Sequence, residues 1–227
     1  MPVALFDLDN TLIAGDRDSL WGEHLVSCGA IDDDQFSAAH RQFHEQYMQG
    51  SLDINAFLEF ALRPLAEHRL EDLQAWRDDF MQRHIEPIVL PAAEKLIELH
   101  RRAGDSLAIV TATNSFVTTP IAQRLGIPTL MATEPEILEG RYTGRHTGIP
   151  TFQEGKIAAV DDWLKNNGLN DSVCFFYSDS RNDIPLLERV DHPVAVDPDE
   201  ALTQEAKQRG WPIITLRAGE QPVEINY

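Results

Sequence analysis

The sequence predicts an α/β protein: a doubly wound parallel sheet with helices on both faces and an α-helical bundle inserted after the first strand. Three observations carry this. Val3-Ala4-Leu5-Phe6 is a short apolar run of the kind buried in a parallel strand. From about Asp16 to about Ile85 apolar residues recur at helical spacing with no strand-like run among them. From Pro91 onward strand-like and helix-like segments alternate, as they do when crossover helices cover a parallel sheet.

The elements follow in order. Leu20, Trp21, His24 and Leu25 share a helical face, and Gly29 offers a stop. A second helix starts near Asp32-Asp33-Asp34 and carries Phe36, Ala39, Phe43, Tyr47 and Met48 before Gly50. A third spans Ile54 to Leu65, and a fourth runs from Leu70 through Leu73, Trp76, Phe80 and Met81. Four amphipathic helices in succession read as a small bundle. The expected division is therefore 1–14 with 88–227 for the sheet domain and 15–87 for the helical cap. Downstream, helices are predicted at Ala92–Arg102, Phe116–Leu125, Lys156–Lys165, Pro185–Leu187 and Glu200–Arg209. Strands are predicted at Leu107–Val110, Thr129–Met131, Val173–Tyr177, Pro193–Val196 and Ile213–Leu216, with a hairpin between Glu139 and Gly148.

At 227 residues the chain can bury one sizeable core plus an appended unit. Nineteen basic against 37 acidic residues give a net charge of −18, which argues against nucleic acid or an anionic membrane as partner. No apolar stretch approaches the roughly 20 residues of a membrane span, and the N-terminus lacks the basic and apolar regions of a secretory signal. The two cysteines, Cys28 and Cys174, are not in a metal-binding spacing. A cytoplasmic monomer or homodimer is expected.

The chemistry gathers at strand ends. Asp7 and Asp9 follow the first strand and, two residues apart, point the same way. Two such charges about 4 Å apart repel by about 4 kcal/mol at an effective dielectric near 20, and a hard divalent cation is the natural neutraliser. Taken alone, Asp-Leu-Asp-Asn-Thr reads equally as a polar turn capping a helix. Thr111 ends the strand after Leu107, Lys156 opens a helix after Gly155, and Asp179 and Asp183 follow the strand ending at Tyr177. Separately these read as a strand-end residue, a solvated charge and an N-cap cluster. Parallel strands, however, share one carboxyl edge, where such sheets bind ligands, so all four places converge. His40 and His44 lie one helical turn apart beside Glu45, but without a third ligand they read as a helix face rather than a zinc site. Trp21, Trp76, Phe43 and Phe80 read as bundle core.

Asp7-x-Asp9-x-Thr11, Thr111, Lys156 and Asp179-x-x-x-Asp183 resemble, in order, the four motifs of the haloacid dehalogenase superfamily. The helical insertion after the first motif resembles its phosphoserine-phosphatase-like branch, subfamily IB, and the likeness covers essentially the whole chain. It implies a Rossmann-like core with a cap of the C1 type. It also implies that Asp7 is a nucleophile forming an aspartyl-phosphate and that Asp9 is its acid/base partner. Thr111, with Ala112 and Thr113, would hold a phosphoryl oxygen, and Lys156 would stabilise charge on the nucleophile and the phosphoryl group. Mg²⁺ would be held by Asp7, Asp179 and the Asp9 carbonyl, with Asp183 orienting Lys156 or a metal-bound water. Ser178 and Ser180 depart from glycines common in the fourth motif, and Thr113-Asn114 from the small residues often found after Thr111.

Substrate choice is expected in the cap. Gly15-Asp16-Arg17-Asp18-Ser19-Leu20-Trp21 resembles a bacterial subgroup that includes histidinol-phosphate phosphatases. Asp16 and Asp18 either cap the first helix or meet an ammonium or imidazolium, and Arg17 or Arg63 could meet a carboxylate. The expectation is a phosphatase for a small amine-bearing phosphomonoester, L-histidinol phosphate ahead of O-phospho-L-serine. A phosphotransferase or mutase using the same aspartyl-phosphate is one alternative. A non-hydrolytic phosphate-binding regulator is another, against which the presence of both Asp7 and Asp9 weighs.

Overall fold

The computed structural model describes residues 1–15 and 17–225, with the backbone alone at Arg17, Asp18 and Gln35. Strand β1 (Val3–Phe6) lies at the centre of the sheet, and all four of its residues are fully buried. It pairs in parallel with β2 (Ser106–Asn114) on one side and β5 (Cys174–Ser178) on the other. Beyond β2 come β3 (Thr129–Leu138) and β4 (Arg141–Thr147); beyond β5 come β6 (His192–Val196), β7 (Ile213–Thr215) and β8 (Val223–Glu224). Because the chain leaves β1 first to one side and later to the other, the crevice at its carboxyl end is a topological switch point.

Period-two alternation explains why β1 is apolar throughout. Ala4 and Phe6 pack with α5 (Pro91–Ala103) and α6 (Ser115–Leu125) on one face. Val3 and Leu5 pack on the other with α7 (Glu154–Asn166), α8 (Ile184–Leu187) and α9 (Glu200–Arg209). A strand covered on both faces needs no polar side.

Three strands differ from the expectation. β2 continues past Val110 to Asn114, with a register irregularity between those residues. Its polar tail breaks the apolar run, while the main chain goes on pairing as Asn114 faces Thr133. β3 likewise runs on to Leu138, so the hairpin uses its outer half against β4, turning at Glu139 and Gly140 with φ of 50° and 78°. The two-residue β8 carries too little pattern to be read from sequence.

Between β1 and α5 stand α1 (Arg17–Ser27), α2 (Asp33–Gln49), α3 (Ile54–Glu67) and α4 (Leu70–Phe80), the last continuing into a π-helical turn at Met81–Ile85. The chain enters and leaves this insertion through a paired neck: Ile13 bridges Val89, and the Ala14 N–H donates to the Ile88 carbonyl at 2.8 Å. Trp21, Leu25, Leu58, Leu62, Leu73 and Phe80 are buried in the same cluster as Ala4 and Phe6, so the helices share one face's core. Trp21 meets Phe80 edge-on at 5.3 Å and Phe116 of α6 at 6.0 Å. Gly22 lets α1 approach α2, since a Cβ there would lie 1.8 Å from the Phe36 ring. Among the described residues no helix is long and apolar enough to cross a membrane.

Candidate active site

The switch point holds the acidic residues. Asp7 follows β1 directly, its N–H donating to the Tyr177 carbonyl at 2.9 Å, and it is buried. Leu8 and Thr11 are fully buried beneath the loop, and Asn10 takes a left-handed φ of 53°. Lys156 reaches the same point from the first turn of α7. Its Nζ donates to Asp7 Oδ1 and to Asp183 Oδ2, each at 2.7 Å. Burial opposes the charge on Lys156, but the carboxylates of Asp183 and Asp7 outweigh it and hold the ammonium pKa above its ordinary value.

The start of α7 is shaped to deliver that lysine. Gln153 has the unusual pair φ 46°, ψ −116°, and a Cβ on Gly155 would stand 1.9 Å from the Pro150 carbonyl oxygen. The loop after β5 supplies the other acids. Ser178 donates to Asp183 Oδ2 at 2.7 Å and Thr11 to Asp179 Oδ1 at 3.2 Å. Burial pushes the Asp179 carboxyl well above the carboxylate range, and Asp7, Asp183 and Asp9 add to it. Asp183 is raised too, by burial first, against the pull of Lys156.

On the β2 side Thr111 and Thr113 are both buried. The Thr113 N–H donates to Thr111 Oγ1 at 3.3 Å, and its hydroxyl lies 3.4 Å from Asp9 Oδ2. The irregular stretch of β2 thus turns two threonines, with Ala112 between them, toward the acids.

These residues line a cavity of about 280 Å³, roofed by His40, Phe43, His44, Tyr47 and Met48 of α2 and Phe57 of α3. The structure brings together Asp7, Asp9, Thr111, Ala112, Thr113, Lys156, Asp179 and Asp183. It does not bring Arg63. That side chain is more than half exposed, pairs with Glu67 one helical turn on, and borders a separate small cavity within the insertion. The expected contacts of Asp16 and of the Asp18 side chain lie outside the described residues.

Phe43, expected in the bundle core, packs against the rings of Phe57 and Phe60 at 5.6 and 5.4 Å and also lines the cavity with His40, His44 and Tyr47. The i, i+3, i+4 stripe that signals a buried helix face here forms the wall of a chamber. Sequence reading also missed Asn10, Asp197, Asp199 and Arg217 on the core side. Arg217, just beyond β7, donates to the Asn10 carbonyl at 2.9 Å and pairs with Asp197 at 2.7 Å. No periodicity marks it, because the contact spans nearly the whole chain.

A buried cation bracketed by two carboxylates, a pair of threonines and a second acid pair at a switch point can accept and stabilise a phosphoryl group. The haloacid dehalogenase-like hydrolase family model matches residues 4–188, and the chain belongs to that family. Within it the chain is a phosphatase. A histidinol-phosphatase of Neisseria meningitidis is 41% identical over 219 residues, covering 95% of this chain and 99% of that protein. A phosphoserine phosphatase of Mycobacterium tuberculosis is 31% identical over 225 residues, covering 98% and 73%. A Bordetella pertussis protein of unknown function superimposes with a TM-score of 0.89 at 43% identity, covering 95% and 98%. A phosphoserine phosphatase solved as a phospho-aspartyl intermediate analogue shares the fold, with a TM-score of 0.68 at 18% identity and 90% coverage of each chain.

Proposed function

We propose that this chain is a Mg²⁺-dependent phosphatase for L-histidinol phosphate that works through an aspartyl-phosphate on Asp7, with residues 15–87 as the cap over its site. The observation that carries the chemistry is the buried Lys156 joined at 2.7 Å to both Asp7 and Asp183. An Asp7 oxygen attacks phosphorus and the ester oxygen departs, protonated by Asp9, whose carboxyl then takes a proton from the water that hydrolyses the acyl phosphate. Thr111 and the main-chain N–H groups around Ala112 and Thr113 hold phosphoryl oxygens, while Lys156 offsets the charge on Asp7 and on the phosphoryl group.

The donor set suits a hard cation. Asp7, Asp9, Asp179 and Asp183 offer only oxygen, and burial first, with the neighbouring carboxylates of Asp7, Asp183 and Asp9 after it, holds the Asp179 carboxyl above its ordinary range. Among the described residues no group of three or more His, Cys, Asp or Glu side chains is arranged to hold a metal ion, so the reading rests on the oxygen chemistry of the donors and on the family. Asp7, Asp179 and the Asp9 carbonyl would hold Mg²⁺, with Asp183 beside Lys156. When bound, the ion supplies positive charge to the phosphoryl oxygens.

The cap wall supports the substrate. His40, Phe43, His44 and Phe57 bring aromatic rings to the cavity wall, and an imidazole can stack on such rings without needing a counter-charge. The nearly full-length likeness to the Neisseria histidinol-phosphatase points the same way. Phosphate release from histidinol phosphate, phosphoserine and phosphoethanolamine, with and without Mg²⁺, tests the reading. The highest kcat/KM is expected for histidinol phosphate, with turnover lost on chelation and in Asp7→Asn. Equal poor rates on all three esters would reject the substrate, and a turnover that needs an added acceptor would make the protein a phosphotransferase.

A further inference from the structure

A line of hydrogen bonds, passing from side chain to main chain within Ser180, joins the roof of the cavity to Asp7. The Tyr47 hydroxyl on α2 donates to Ser180 Oγ at 3.1 Å, and the Ser180 N–H donates to Ser178 Oγ at 3.1 Å. The Ser178 hydroxyl donates to Asp183 Oδ2 at 2.7 Å, the same oxygen that Lys156 Nζ contacts at 2.7 Å while it holds Asp7 Oδ1 at 2.7 Å. A second line runs alongside. Asn182 Nδ2 donates to the Tyr47 carbonyl at 3.3 Å, and Gln153 Nε2, at the start of the helix that bears Lys156, donates to Asn182 Oδ1 at 3.1 Å. Ser178 is fully enclosed, at 0% exposure and away from the cavity wall, so loss of its hydroxyl would leave Asp183 Oδ2 one donor short.

We propose that Tyr47 is a positioning residue: through Ser180, Ser178 and Asp183 it sets Lys156 against the nucleophile, so the lysine is fully aligned only while α2 is seated over the site. The proposal rests on Asp7 as nucleophile but not on which ester is cleaved. Two features of this sequence make the chain possible. Ser178 and Ser180 occupy places where glycine is common in the family's fourth motif, and a glycine at 178 has no hydroxyl to pass the contact on. Tyr47 is the residue of α2 whose hydroxyl reaches the acidic loop from a helix that otherwise contributes imidazole, phenyl and thioether groups to the wall. Ser178 itself is not part of the cavity wall. Its hydroxyl therefore influences turnover by holding Asp183, not by touching substrate.

A double-mutant cycle on Tyr47→Phe and Ser178→Ala tests this, because the two side chains do not touch and independent effects would multiply. Steady-state kinetics with p-nitrophenyl phosphate and with histidinol phosphate are measured alongside thermal midpoints. Each single variant should lower kcat about three- to tenfold, the range of one hydrogen bond, with KM changed much less. The double variant should fall no further than the weaker single. Losses that multiply, an unchanged kcat in either single, or an effect confined to KM would overturn the proposal. If Ser178→Ala lowers the midpoint enough to obscure kcat, Ser178→Gly replaces it in the cycle with the same expectations, since it too lacks the hydroxyl and does not touch Tyr47. Turnover of p-nitrophenyl phosphate but not of histidinol phosphate would reject the substrate reading and leave the cycle readable.

Discussion

Lys156 Nζ and Asp7 Oδ1 stand 2.7 Å apart with both side chains almost wholly buried. In such a place the lysine is the counter-ion shared by Asp7 and Asp183, and in the proposed mechanism it is also the charge that phosphoryl transfer needs. Lys156→Met should therefore lower kcat by about 10²- to 10³-fold and also destabilise the fold by about 3–5 kcal/mol, since it leaves buried carboxylates unpaired. Denaturant titration should show part of that stability returning as the pH falls and the acids protonate. Wild-type stability at neutral pH in the variant would contradict the role given to the pair.

Gly155 is the neighbour that places this lysine. A methyl group there would sit 1.9 Å from the Pro150 carbonyl oxygen, against backbone that cannot swing aside. Gly155→Ala should cost about 1–3 kcal/mol and displace the first turn of α7, lowering kcat more than tenfold. Gly15→Ala is the contrast: among the described residues its Cβ would meet the tips of Ile88 and Leu20, at 3.3 and 3.4 Å, and the change should be close to neutral. Thermal midpoints and kcat of the two variants side by side decide whether the close approach at Gly155 matters.

The legible part of this site is the part written as a break in pattern. Asp7, Lys156 and Asp179 stand out because each follows or opens an apolar element, and topology alone then brings strand ends together. Thr113 stands out less as a break in pattern, because β2 keeps pairing after its apolar run stops. Phe43 is ambiguous for a different reason. A helix face that lines a chamber has the same 3.6-residue stripe as one that fills a core, so only the missing opposite wall tells them apart. Arg63 shows the converse: a lone arginine in an amphipathic helix has no pattern to say which way it points, and it turns to Glu67.

Arg217 ties the end of the sheet to the loop that carries Asp9. Its guanidinium bridges the Asn10 carbonyl, one residue after Asp9, and the Asp197 carboxylate. Both partners have left-handed backbone, with φ of 53° at Asn10 and 43° at Asp197, so the bridge holds two unfavourable conformations. Arg217→Ala should lower kcat/KM about tenfold, the scale of one charge-assisted hydrogen bond, through a poorly held Asp9. Arg217→Lys should recover only part, because an ammonium cannot make the planar fork. An unchanged pH–rate profile and rate in Arg217→Ala would mean that the bridge to Asn10 does not hold Asp9 in place.

Tyr177 gives a prediction about alkaline stability. Its hydroxyl lies 2.8 Å from His100 Nε2, and His100 Nδ1 lies 2.7 Å from Asp105, a buried line on the sheet face away from α7. Burial, with the nearby Asp105 charge, pushes the phenol up to about 12. The native state thus holds this proton more tightly than the unfolded chain, where a phenol titrates near 10. For a raised pKa the stabilisation is whole below about pH 10 and is lost as the pH climbs from there through about 12, since the unfolded tyrosine ionises first. A shift of about two units corresponds to about 2–3 kcal/mol across that window. Tyr177→Phe should be less stable than wild type at pH 9 by about 1–3 kcal/mol, having left His100 without its partner. Denaturant midpoints at pH 9 and at pH 11.5 should then show the gap narrowing, because only the wild type carries this phenol. A gap that stays constant across the two pH values would mean that Tyr177 ionises alike in both states.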